Sequence, residues 1–148
     1  MNTKDYLITH NIKPSMQRIA IMDYLINHKT HPTADEIFVD LNKLYPTLSK
    51  TTIYNTLKLF TENGAVLTLN IDEKNVRFDG DTSNHAHMQC TRCGKVYDLK
   101  IISDAEIEVA NHEIVETQII MKGYCEKCRN KIIFNYTNKL CTSKAKHR

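Results

Sequence analysis

Four of the five cysteines in this 148-residue chain form two Cys-x-x-Cys pairs, Cys90/Cys93 and Cys125/Cys128, with 31 residues between the pairs. Each pair lets a tight turn aim two sulfurs at one ion, and Gly94, directly after the first pair, eases that turn. Any fold open to the chain must bring the two turns together. The doubled spacing suits a closed, tetrahedral, structural Zn(2+) site, which would staple the ends of one small domain. The alternative is a redox dithiol, for which one pair would suffice. The fifth cysteine, Cys141, stands alone in a polar tail and reads as an idle thiol.

The setting supports the metal reading. Hydrophobic residues are 41% and charged residues 25% of the chain, as in a soluble globular protein. No apolar run approaches the ~20 residues of a membrane span. The opening MNTKDYLITH has no apolar core of the kind a signal peptide needs. The expectation is a cytoplasmic protein, where structural disulfides are disfavoured, with no membrane partner. The net charge of +3 does not by itself announce a nucleic-acid binder. The segment 138–148, ending KAKHR, reads as a basic, disordered tail.

The first half has helical period. Residues 15–28 place Ile19, Met22 and Ile26 at helical spacing, with Pro14 at the entry. Thr33 can cap a second helix with the apolar face Ala34, Ile37, Leu41 and Leu44, which Pro46 stops. Ser49 and Asn63-Gly64 bracket a third helix. This helix buries Ile53, Leu57 and Phe60 and presents Lys50, Thr51, Tyr54, Asn55 and Lys58. The period then becomes two: Leu67, Leu69 and Ile71 share a strand face, and Asp72–Asn75 turn into VRFD, 76–79. Helices followed by a hairpin give a winged helix-turn-helix with 49–62 as recognition helix. Tyr54 and Asn55 suit base reading. Lys50, Lys58 and Arg18, with Lys13 and Thr51 in the same DNA-binding set, suit the surrounding contacts.

The expected class is α+β: a winged-helix domain over 1–79, a hinge over 80–84, and a zinc-stapled α/β dimerisation and sensing domain over 85–137. Within the last, 85–99 reads as strand, knuckle, strand; 103–112 as a helix; and 114–123 as a strand. His85-x-His87 on a strand puts both rings on one face. They are either two surface histidines or part of a second metal site, completed by candidates His31, Asp79 and Asp98. A nitrogen-and-oxygen set suits Fe(2+) or Mn(2+), whereas thiolates select zinc. His10, His28, His112 and His147 read as surface or capping groups.

Five pieces, HPTADEIF (31–38), TTIYNTLKLFTENG (51–64), RFD (77–79), HAHMQCTRCGKVYDL (85–99) and GYCEKC (123–128), together resemble the ferric uptake regulator family over roughly 8–130. The resemblance implies a homodimeric, metal-dependent repressor of double-stranded DNA with a palindromic A·T-rich operator. It implies structural zinc at Cys90, Cys93, Cys125 and Cys128, regulatory metal at His31, Asp79, His85, His87 and Asp98, and DNA contact through the helix of Tyr54 and Asn55. The peroxide-sensing branch has Asp at the position of Asp98, where the iron-sensing branch usually has Glu, and Asp79 also matches the former. Many iron sensors carry an additional site using an acid between the two histidines; here that place is Ala86, and the residue preceding the pair is Asn84, so that site is not expected. Ser15-Met16-Gln17-Arg18 replaces the usual Thr-Pro-Gln-Arg. The implied signal is hydrogen peroxide, oxidising His31 or His85 without turnover, so no enzyme is expected. An iron- or zinc-responsive repressor of the same fold is the nearest alternative. A non-haem metal enzyme is the distant one, and no substrate-pocket signature supports it.

Overall fold

The computed structural model describes residues 2–71, 75–102 and 113–133. The chain divides into two units, Met1–Asn84 and His85–Arg148. The helix expected at 103–112, His112, Cys141 and the basic tail lie outside the described residues.

The first unit holds α1 (Thr3–Thr9), α2 (Met16–Asn27), α3 (Ala34–Leu44), α4 (Lys50–Glu62) and the antiparallel pair β1 (Leu67–Leu69) and β2 (Arg77–Asp79). Each of these four helices starts on a side-chain cap. Asn2, Ser15, Thr33 and Ser49 each accept a hydrogen bond from the backbone amide three residues on. At Thr33 the cap is reciprocal: the Glu36 amide donates to Thr33 Oγ1 at 3.2 Å, and the Thr33 amide donates to Glu36 Oε2 at 2.7 Å. α4 ends at Asn63, and Gly64 takes φ +66° to leave the helix.

Ile53, Leu57 and Phe60 of α4 are buried as its period predicts, against Ile21, Met22 and Leu25 of α2 and Ile37 of α3 in one core. Removing any of these large side chains from water stabilises by about 1.5–3 kcal/mol. Three apolar assignments change. Ile26 is 43% and Leu44 74% exposed. Ile26 is displaced because the buried stripe of α2 runs Ile21, Met22, Leu25 and passes it by; Leu44 sits in the last turn, where α3 leaves the core. Ile71 is buried but lies beyond β1. α1 was not expected. Its Tyr6 hydroxyl donates to the Ala65 carbonyl at 2.9 Å, and its Leu7 is fully buried, so it closes the core at the root of the wing.

The second unit contains a three-stranded sheet ordered β4 (Val96–Leu99), β3 (Ala86–Cys90), β5 (Ile120–Gly123). β3 pairs antiparallel with β4 and parallel with β5. The strand expected at 114–123 is regular only from Ile120; pairing with β3 begins where the His87 amide donates to the Ile119 carbonyl at 2.9 Å, and residues 113–118 are not in a strand. A helix, α5, covers 126–133. The buried cluster described in this unit is Cys90, Cys125 and Cys128, with Met88 packed on it. Among the described residues the sulfurs make up this cluster, so a cross-link through them would tie the end of β3 to the start of α5 and add stability.

Candidate metal centres and nucleic-acid interface

The sheet order assembles the sulfur site. Cys90 ends the central strand β3, and its register partner on β5 is Gly123, so the chain leaving β5 delivers Cys125 beside it. The first knuckle is closed by Cys90 N–H to the Lys95 carbonyl and Gly94 N–H to the Cys90 carbonyl, both 2.8 Å, with Gly94 at φ +72°. The second opens α5: the Cys128 and Arg129 amides donate to the Cys125 carbonyl at 3.0 and 2.8 Å. The Arg92 guanidinium reaches from the first knuckle to the Cys128 carbonyl at 3.3 Å.

The four sulfurs lie within 4.8 Å of one another, and Cys93 Sγ is 3.9 Å from Cys125 Sγ. Four thiolates at ~2.3 Å from a tetrahedral zinc stand about 3.8 Å apart, so the set fits that ion. The surroundings divide the thiols. The Cys125 backbone amide heads the hydrogen bonds that hold the Cys90 thiol down at about 6. The Tyr97 hydroxyl is the main group holding Cys125 low. Burial pushes Cys128 up to about 12.

The histidine and carboxylate candidates fall in both units. In the first, His31 Nε2 stands 3.5 Å from Asp79 Oδ2, and both residues are buried. The wing fixes this pair: the Phe78 amide donates to the Pro32 carbonyl at 3.0 Å, Thr33 bridges Arg77, and the Arg77 guanidinium donates to the His31 carbonyl at 3.0 Å. His31 needs that support, because its φ of +51° is left-handed backbone that non-glycine residues rarely adopt. In the second unit His87 and Asp98 are register partners across β3 and β4. Asp98 Oδ1 is 3.7 Å from His85 Nε2 and 3.9 Å from His87 Nε2. The two imidazole centroids are 4.4 Å apart, so both rings share a face. Nitrogen and oxygen atoms each ~2.1 Å from one cation stand about 3.0–3.7 Å apart, close to these spacings.

α4 exposes Lys50, Thr51, Tyr54, Asn55 and Lys58 along one side. Lys13, Arg18 and Asn55 line a cavity of about 360 Å³ at the start of α2, and Arg18 Nη1 donates to the Lys13 carbonyl at 2.6 Å. The structure thus brings Arg18 of α2 and Asn55 of α4 to one cleft, while Tyr54 and Lys58 line a second one beside Asp35 of α3. Arg77, Gly80 and Asp35 were not singled out from sequence. Arg77 was visible in RFD and Asp35 in HPTADEIF, but their partners come from other elements.

A helix-turn-helix with a short wing, followed by a sheet unit that gathers four cysteines, defines a winged-helix regulator with a sulfur metal centre. The model described as the ferric uptake regulator family matches residues 9–124. The chain belongs to that family. A peroxide-responsive repressor PerR from Staphylococcus aureus (strain Mu50) is 39% identical over 125 residues, which cover 81% of this chain and 84% of the relative. Two solved structures share the fold. The ferric uptake regulator from Pseudomonas aeruginosa with manganese has a TM-score of 0.67 at 22% identity, covering 85% of this chain and 99% of that one. The Campylobacter jejuni peroxide stress regulator has a TM-score of 0.62 at 23% identity, covering 84% and 95%.

Proposed function

We propose that this chain is a homodimeric, metal-dependent transcriptional repressor that releases its operator when hydrogen peroxide oxidises a regulatory site. The observation that carries the reading is that the chain of a winged helix also gathers donors of two kinds, four sulfurs in one cluster and imidazole–carboxylate groups within each unit, His31 with Asp79 in the first and His85 and His87 with Asp98 in the second. Soft thiolates retain zinc, while the hard set exchanges Fe(2+) or Mn(2+).

In this account Cys90, Cys93, Cys125 and Cys128 hold structural zinc. His31 and Asp79, together with His85, His87 and Asp98, share one regulatory cation. Three neutral imidazoles and two carboxylates balance a divalent charge. The cation couples the reading unit to the second unit, so metal and DNA affinities reinforce each other, typically by about 1–3 kcal/mol. Lys13, Arg18, Lys50, Thr51, Tyr54, Asn55 and Lys58 face a palindromic A·T-rich duplex. Iron held there would supply the electron exchange by which one peroxide adds one oxygen to an imidazole carbon and leaves as water. The imidazole of His31 or His85 takes the oxidising damage and ceases to be a ligand. Asp98, with its short arm, and the similarity to proteins named as peroxide-responsive repressors support this branch over an iron- or zinc-responsive one. Oxidation consumes the protein's own ligand, so this is a regulator without turnover.

The test is a mobility shift on a duplex enriched by the protein from a randomised pool, with manganese, iron(II), zinc or chelator, each with and without peroxide. The expected result is binding with manganese or iron, release by peroxide only with iron, and one added oxygen on the His31 or His85 peptide by mass spectrometry. Release by chelator with no peroxide effect in the iron sample would replace the reading with iron-responsive repression.

A further inference from the structure

We propose that Asp35 is a specificity-determining residue of the DNA-reading surface: its carboxylate engages both Lys50 and Tyr54 of α4 and withholds the Lys50 ammonium from phosphates of arbitrary sequence. This rests on the reading of α4 as the DNA-contacting helix. Asp35 lies in the first turn of α3, just past the Thr33 cap, where the field of the helix favours a carboxylate. Lys50 and Tyr54 are four residues apart on α4 and therefore share a face. Both converge on one oxygen. Lys50 Nζ is 2.9 Å from Asp35 Oδ1, and the Tyr54 hydroxyl donates to the same atom at 3.2 Å. A second contact holds the lysine from the same side: Nζ stands 5.8 Å from the ring centroid of Phe38, one turn along α3.

Stability does not explain this arrangement. The side chains of Lys50 and Asp35 are 54% and 58% exposed, and such pairs contribute little to folding. Their effect lies at the ligand. A lysine free at the start of a recognition helix grips any phosphate and raises affinity for all sequences alike. With Lys50 anchored on α3, that sequence-blind contribution is suppressed. Tyr54, held by its hydroxyl, loses rotamer freedom before it meets a base edge. The site borders a cleft of about 480 Å³ that also reaches Lys58 and Asn75, so ligand and solvent have access to it.

The experiment is fluorescence anisotropy on the full-length, manganese-loaded protein with two labelled duplexes: one of scrambled sequence, and one enriched by the wild type from a randomised pool. Asp35→Asn keeps an oxygen acceptor for Tyr54 and removes the charge that holds Lys50. It should bind the scrambled duplex about eightfold more tightly at roughly 0.1 M salt, with a salt slope steeper by about 0.9, as one added phosphate contact requires. The ratio between the two duplexes should narrow. In a Lys50→Gln background the same substitution should give no gain. An unchanged slope in Asp35→Asn would overturn the proposal. So would a gain that persists in Lys50→Gln, since the acid would then act by its own repulsion. Wild-type protein that binds neither duplex would overturn the assignment of α4 itself, and this inference with it.

Discussion

Gly80 lies so close to Leu25 that a Cβ built on it would stand 3.1 Å from the Leu25 carbonyl carbon and 3.2 Å from its carbonyl oxygen. The neighbour is helix backbone, which cannot swing aside as a long side chain can. Gly80 follows Asp79, so the close approach sets where the wing delivers that carboxylate. Gly80→Ala should therefore destabilise the first unit by about 1–3 kcal/mol, the usual cost of overpacking, and should weaken manganese binding as well. Urea unfolding and a chelator-competition titration would check the two effects. Wild-type values in both would show that β2 does not depend on this contact.

Arg77 reaches the same site from the other side. Its guanidinium donates to the His31 carbonyl and stands 3.6 Å from Glu36 Oε2 of the Thr33 cap. Arg77→Met keeps much of the packing and loses the donor. Manganese affinity should fall about tenfold or more, as for other losses of support behind a metal ligand, while the helical circular dichroism remains. Arg77→Lys should recover only part of the affinity, because an ammonium cannot serve the carbonyl and the carboxylate in the planar geometry of a guanidinium.

Cys125→Ser should remove zinc and cooperative folding from the second unit together. The buried cluster described there is sulfur with one methionine beside it. Structural zinc bound by such sets is worth ~10 kcal/mol or more at neutral pH. Elemental analysis and amide hydrogen exchange would follow the metal and the sheet β4-β3-β5. A zinc-free variant with a fully protected sheet would contradict this account of its stability.

The Lys50 ammonium, chiefly through its hydrogen bond, holds the Asp35 carboxyl below its ordinary range. The folded value is depressed, so the pairing is present above the ordinary carboxylate pKa and is lost as pH falls through the lower folded one. An NMR titration should show Asp35 as a low-titrating carboxyl, and Lys50→Gln should raise it. The same value in both proteins would show that the pair is not maintained in solution.

Much of this architecture could be read from sequence because it is local. Ser49 and Asn63-Gly64 bracket α4, Thr33 caps α3, and the period change after Gly64 announces the wing. The four cysteines were legible for a different reason: their spacing encodes a turn that aims two sulfurs at one point. What escaped was long-range. α1 carried a cap in Asn2 with Asp5 three residues on, yet its burial depends on meeting Ala65 across the fold. Ile26 follows the helical period, but the tilt of α2 on its neighbours decides which stripe is covered. The supports behind the candidate ligands, Arg77 on the His31 carbonyl and Gly80 on Leu25, exist only once β2 lies beside the loop before α3.

The central claim is that a removable cation, distinct from the one held by sulfur, governs duplex binding. The most direct test measures the affinity of His87→Ala for the enriched duplex in manganese and in chelator, alongside the zinc content of the same sample. The account predicts one retained zinc per chain and weak binding that manganese no longer improves. Full manganese-dependent binding by this variant would contradict it.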